Sequence, residues 1–226
     1  MTLTETIAAL ARERGADMVG FADVKGLAEL PRAVVVVMRH SPEWLDDPSN
    51  MPNLAYLKEI GEVTDRLSEL GRYLEEFLRE KGYGVRADPP TGYMIDNEKL
   101  TAPFAHKTAA TRAGLGWIGK CALLVTPELG PALRLTSVLT DAPLAVGQPI
   151  TESRCGECTL CADICPAGAV SGEHWRAGRL REEFYDAHAC RAVCFATRAV
   201  FGERYTGCGA CMAVCPVRPR SSVRRP

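Results

Sequence analysis

The sequence lacks an excess of either charge: 27 Lys and Arg stand against 28 Asp and Glu, a formal net charge of −1, so no bulk field draws it to nucleic acid. It lacks any run near the ~20 consecutive apolar residues of a membrane-spanning helix. Its N-terminus lacks the basic segment and apolar stretch of a secretory signal. These absences predict a cytoplasmic protein with no membrane partner, in a reducing compartment where disulfides do not persist. No internal repeat is present outside the cysteines. With 226 residues, 46% of them hydrophobic, the chain is long enough for a sizeable core and a second domain.

What is present is cysteine, ten in all. One run reads Cys155-x-x-Cys158-x-x-Cys161-x-x-x-Cys165-Pro166; a second closes as Cys208-x-x-Cys211-x-x-x-Cys215-Pro216, with Cys190 or Cys194 upstream as its remaining ligand. In such spacing the tight loop brings three thiolates to three irons of one cubane, and the cysteine before proline ligates the neighbouring cluster. This predicts two 4Fe-4S clusters, one on Cys155, Cys158, Cys161 and Cys215, the other on Cys165, Cys208, Cys211 and Cys190. Zinc also uses CxxC pairs, but as two separated pairs of ligands rather than as runs ending in Cys-Pro. Residues 151–226 are therefore read as a double 4Fe-4S ferredoxin-like domain ending in a disordered basic tail, Val217 to Pro226. Cys121, outside both runs, reads as a small buried apolar residue rather than a ligand.

The first part, residues 1–145, reads as an α/β domain. Thr2-x-x-Glu5 fits a capping box for a helix stopped at Gly15. Arg32 to Met38 is an apolar run expected as a strand buried on both faces. Leu67, Leu70, Leu74, Phe77 and Leu78 recur at helical spacing before Lys81-Gly82. A short strand is expected near Val85, a helix over His106 to Arg112, and two strands over Cys121 to Thr126 and Leu133 to Thr140. Alternating helices and strands imply a layered α/β structure. Asp141 to Arg154, with Pro143, Gly147 and Pro149, is the expected linker.

Ala113-Gly-Leu-Gly-Trp-Ile-Gly-Lys120 contains a literal GxGxxG. A dinucleotide fingerprint needs a strand before the glycines and a helix after them, and the expected order is the reverse. The glycines permit close approach of the backbone to a ligand or to another chain segment, or simply a tight turn with Trp117 in the core.

Pro103-Phe-Ala-His106-Lys107 running into this glycine loop, followed by the paired cysteine runs, resembles the epoxyqueuosine reductase family, distant relatives of the reductive dehalogenases. Gly15-Ala-Asp-Met-Val-Gly-Phe-Ala22 resembles that family's opening, and Asp186-Ala-His-Ala-Cys190 its segment before a cluster ligand, which favours Cys190 over Cys194. The resemblance implies a nitroreductase-like α+β domain holding base-off cobalamin, with electrons arriving from an external donor of ferredoxin or flavodoxin type through both clusters. It makes Gly114, Gly116, Trp117, Lys107 and Lys120 candidates for the cofactor pocket, with Thr136 and Ser137 on a following strand.

The chain departs from that pattern. Where the family has its proton-donating aspartate, this sequence reads Leu100-Thr101-Ala102-Pro103, and Asp96 could substitute only through a rearranged loop. His106 stands where the family has glutamate; with an ordinary pKa near 6.5 it could donate a proton at neutral pH or simply satisfy the backbone. The chain ends soon after Cys215, without the family's helical repeat domain, which argues against transfer RNA as partner. The expected function is thus an iron–sulfur reductase passing electrons to cobalamin for reductive chemistry on a small molecule. The alternatives are an electron-transfer partner that activates a corrinoid protein, and a reductase holding a flavin.

Overall fold

The computed structural model describes residues 1–90 and 96–221; the last five residues of the expected tail, 222–226, lie outside them. The elements run α1 (Leu3–Glu13), β1 (Met18–Asp23), β2 (Arg32–Arg39), α2 (Leu54–Glu80), β3 (Val85–Asp88), α3 (His106–Arg112), β4 (Trp117–Ile118), β5 (Leu124–Val125), β6 (Leu133–Thr140), α4 (Leu160–Asp163), α5 (Ala187–Phe201) and α6 (Ala210–Val214). They form two compact units. The first comprises Met1–Arg39, Val63–Gly116 and Arg134–Ile150, and the second His40–Glu62, Trp117–Leu133 and Thr151–Pro226.

The first unit is a four-stranded sheet in the order β1-β2-β6-β3. β1 pairs antiparallel with β2, Gly20 opposite Val35, and β3 antiparallel with β6, Asp88 opposite Ser137. β2 is buried from Ala33 through Met38, as a continuous apolar run requires of a strand covered on both faces. α1 opens with the capping box, Thr2 accepting from the Glu5 amide and Glu5 from the Thr2 amide, and presents Ile7 and Ala11 to the core. α2 buries Val63, Leu67, Leu70, Leu74 and Leu78, one stripe at three- and four-residue steps, against Val34, Val36 and Val138. α1, β2 and α2 stand where the sequence pattern puts them; β1 carries no periodic signal of its own and is fixed by its pairing with β2.

Two expectations differ from the structure. The strand over Cys121 to Thr126 shrinks to β5, because Ala122 takes a positive φ of 58° and turns the chain before Leu124; β5 then pairs with β4, Trp117 opposite Val125. The Asp141 to Arg154 segment is not free as far as Ile150. The Gly147 amide donates to the Phe21 carbonyl at 2.8 Å and the Ile150 amide to the Thr111 carbonyl at 2.9 Å, so this stretch is bound into the first unit.

The second unit gathers the cysteine runs together with residues 40–62 and the β4–β5 hairpin. Its apolar core is small: Leu45, Tyr56, Leu57, Ala132 and Ala213, with Met51, Ile60, Phe201 and Met212 packed against it. Gly209, at φ +79°, lies under the Tyr56 ring, where a Cβ would meet Tyr56 Cε1 at 2.7 Å. The part of the expected tail that is described is anchored rather than solvated. Arg218 is 3% exposed and donates to the Leu45 carbonyl at 3.0 Å and to Asp46 Oδ1 at 3.2 Å. Burial opposes ionisation of Asp46, but hydrogen bonds from Ser221 and Arg218 hold its carboxyl below the usual range. Gly130, at φ +62°, admits the Arg218 backbone, where a Cβ would stand 2.7 Å from its Cα.

Removing Arg218 takes a donor from the half-buried Asp46 carboxylate and from the buried Leu45 carbonyl. Arg218→Ala should therefore destabilise the reconstituted protein by roughly 2 kcal/mol, read from denaturant unfolding. A change within the error of the measurement would show that Asp46 and the Leu45 carbonyl do not depend on the arginine.

Candidate functional site

The site is built on sulfur. Cys155, Cys158, Cys161 and Cys215 line one cavity, together with Gly119, Lys120, Cys121, Val125, Arg154 and Cys211. α4 carries Cys161 and α6 carries Cys211, and the prolines after Cys165 and Cys215 end each turn. Backbone amides point at the sulfurs. The Ala169 amide donates to Cys165 Sγ at 3.3 Å, and the amides just after Cys208 and Cys215 act to lower the pKa of those thiols. Burial nevertheless pushes the Cys208 and Cys215 thiols up, as expected of sulfurs whose charge a metal must compensate. Donors of this kind stabilise ligated thiolates and set cluster potentials.

Around the second set, Cys190 Sγ and Cys194 Sγ are 4.0 Å apart, consistent with their spacing of one turn on α5. Hydrogen bonds from Cys194 and from the Tyr185 hydroxyl lower the Cys190 thiol pKa against the opposing effect of burial, whereas the Cys194 thiol is raised. Asp186 caps α5, accepting from the His188 and Ala189 amides at 2.9 Å.

Cys121 was read from the sequence as a buried small residue, and it is 5% exposed. The structure adds what the spacing did not signal: Cys121 lines the same cavity as Cys155, Cys158, Cys161, Cys211 and Cys215. Gly119 makes room here, since a Cβ there would meet Val125 Cγ2 at 2.8 Å, with Cys121 Sγ at 3.5 Å and Cys155 Sγ at 3.6 Å.

The other candidates are distributed between the units. Gly114 and Gly116, with His106, Lys107, Thr136, Ser137 and Asp96, belong to the first; Trp117 and Lys120 belong to the second. Gly114, at φ +75°, abuts the Gln148 carbonyl oxygen, 2.6 Å from where a Cβ would stand, so this glycine serves close approach of another chain segment. Thr136 is 1% exposed and its hydroxyl donates to the Asp88 carbonyl at 2.7 Å. Ser137 is fully buried with its hydroxyl 3.0 Å from His106 Nδ1. His106 Nε2 is 3.0 Å from the Pro89 carbonyl oxygen, so both ring nitrogens are engaged. Burial lowers its pKa below 6.5, only partly offset by the Pro89 contact and Asp88. Asp96 accepts from the Lys99 and Glu98 amides, which hold its carboxyl below the usual range. Lys107 is half-buried on α3. Gly116 is buried, and Trp117 is 5% exposed with its Nε1 buried and without a partner among the described residues. Lys120 is 4% exposed in the wall of the cysteine cavity.

Residues 154–218 match the family of 4Fe-4S double cluster binding domains. The chain is 34% identical over 162 residues to an epoxyqueuosine reductase of Bacillus anthracis, an alignment covering 68% of this chain and 37% of that protein. It spans less than half the length of the curated relatives it matches first. Among solved structures, a reductive dehalogenase described as carrying out B12-dependent dehalogenation matches at a TM-score of 0.71 and 22% identity, over 97% of this chain and 32% of that one. An epoxyqueuosine reductase with an epoxyqueuosine-modified tRNA stem loop matches at 0.63 and 22%, over 95% and 65%. At such identities these two establish a shared fold. Among the described residues, no helix is long and apolar enough to cross a membrane.

Two tests follow from this geometry. After anaerobic reconstitution, Cys190→Ser should lose iron, whereas Cys194→Ser and Cys121→Ala should keep the wild-type iron content; equal loss in the first two would remove the choice of Cys190. His106→Gln should cost about 2 kcal/mol of stability by unsettling the Ser137 and Pro89 contacts. Because the folded-state pKa of His106 is depressed, its contribution is present above about pH 6.5 and is lost as the pH falls. The variant should therefore show a shallower loss of unfolding midpoint between about pH 7 and pH 5 than the wild type.

Proposed function

We propose that this chain, a member of the epoxyqueuosine reductase family with that family's double-cluster domain, is an iron–sulfur reductase in which two 4Fe-4S clusters deliver electrons to cobalamin for reductive chemistry on a bound substrate. The observation that supports it most directly is the meeting of Cys155, Cys158, Cys161 and Cys215 on one cavity with amides aimed at the sulfurs. This donor set fits a cubane: soft thiolates, partly buried, with two positive side chains and no carboxylate in the wall. Clusters of this kind supply one-electron transfer at low potential.

The cobalamin half of the proposal rests on kinship, since a fold relative is described as B12-dependent. Three of the residues that the resemblance assigned to a corrinoid pocket already have partners. Thr136 and Ser137 are spent on Asp88 and His106, and Gly114 on Gln148. No step is therefore assigned to residues around it. Releasing one oxygen atom of a substrate as water consumes two electrons and two protons; the electrons would come singly from an external donor of ferredoxin or flavodoxin type, passing through the clusters. The substrate class ranges from a small molecule to RNA. A relative is described in complex with a modified tRNA stem loop, so transfer RNA stays within the proposal.

A second reading, an electron-transfer partner that reduces a corrinoid on another protein, is favoured by the state of the candidate acids. His106 has both nitrogens engaged, and Asp96 is held as a carboxylate by the Lys99 and Glu98 amides. Neither side chain offers a proton in this arrangement.

Cobalamin titrated into anaerobically reconstituted protein, followed by visible and electron paramagnetic resonance spectra, separates the readings. A base-off cobalt signal beside both clusters supports the self-contained reductase. Clusters without that signal would move the function to the electron-transfer partner, and flavin absorption bands in its place would give a flavin reductase.

A further inference from the structure

Lys120 stands out among the charged residues of the second unit. It is 4% exposed, and it lines the cavity shared by Cys155, Cys158, Cys161 and Cys215. The residues on either side of it lie beside the same sulfurs: a Cβ on Gly119 would stand 3.6 Å from Cys155 Sγ, and Cys121 lines the same cavity. The other cation of the wall, Arg154, is exposed and lies over the Trp117 ring, 5.9 Å from its centroid. No Asp or Glu lines the cavity, and no ion pair among the described residues engages Lys120. A lysine so little exposed, in a wall without a carboxylate, needs another source of negative charge.

We infer that Lys120 is the counter-charge of the cluster held by Cys155, Cys158, Cys161 and Cys215, and that it raises the reduction potential of that cluster relative to its neighbour. The inference rests on the iron–sulfur reading above. Four thiolates make an oxidised cubane a net anion, and the electron it accepts from a ferredoxin- or flavodoxin-type donor, which is itself oxidised by one electron, adds one more negative charge. A cation fixed in a poorly screened wall stabilises the reduced state more than the oxidised one. The exposed Arg154 is screened by solvent and contributes less. With the two clusters at different potentials, electrons arriving at the Cys165, Cys190, Cys208 and Cys211 cluster run downhill to the one beside Lys120. Lys120 acts here as a tuning residue through space, with no bond to iron.

The test is an anaerobic redox titration of the full chain by electron paramagnetic resonance, with iron content measured on each sample. Lys120→Met and Lys120→Gln should keep the wild-type iron content and move one of the two midpoint potentials to more negative values. The other midpoint should stay in place, and Lys120→Arg should retain both near their wild-type values. Unmoved midpoints in the Met and Gln variants, or equal movement of both midpoints, would overturn the inference while leaving the clusters standing. Iron loss shared by all three variants would also overturn it, by making the residue a packing element. A wild-type chain that takes up no iron would instead remove the iron–sulfur reading itself.

Discussion

The second unit depends on the convergence of its thiols. Its regular structure between Thr151 and Ser221 amounts to α4 of four residues, α5 of fifteen and α6 of five, with a short 3-10 turn, and few of its apolar side chains are fully buried. So small a core does not by itself offset the entropy of ordering such a loop-rich chain; ligation around two cubanes supplies the missing constraint. Features that otherwise look unrelated follow from it. Gly119 has no Cβ because sulfur lies beside it, Gly209 turns left-handed between Cys208 and Cys211 under Tyr56, and Gly130 clears the backbone of Arg218 just past Cys215.

The first unit is held by ordinary means, an apolar sheet covered by a long amphipathic helix, and its glycine loop is explained by packing. Ala113 and Gly114 lie against Gly147 and Gln148, and the Gly147 and Ile150 amides complete the seam. A GxGxxG that invites a nucleotide reading is accounted for in part by two stretches of backbone meeting where side chains would not fit. The loop's last residues, from Trp117 onward, serve the sulfur-lined unit instead.

This division bears on chemistry. The cluster domain is strongly marked, by cysteines at double-cluster spacing within residues 154–218. Proton supply is not marked in the same way: the histidine in the position of the family's glutamate is sealed between Ser137 and Pro89, and Asp96 is tied to its own turn. For the reduction proposed above, His106 and Asp96 as they are held here do not supply the acid.

The sequence by itself determined the elements whose cause is local or periodic: the capping box of α1, the apolar run of β2, the stripe of α2, and the two cysteine runs, each closing on Cys-Pro, whose spacing is that of double-cluster ligation. Tertiary structure alone decided the rest. That Cys121 joins the ligand sulfurs, that Lys120 is buried beside them, and that Arg218 closes on Asp46 are contacts between residues distant in sequence, which no spacing rule encodes. The same holds for His106, whose residue type allows a proton donor or a structural bond; burial and the partners at both nitrogens choose between them, and those exist only once the strands have paired.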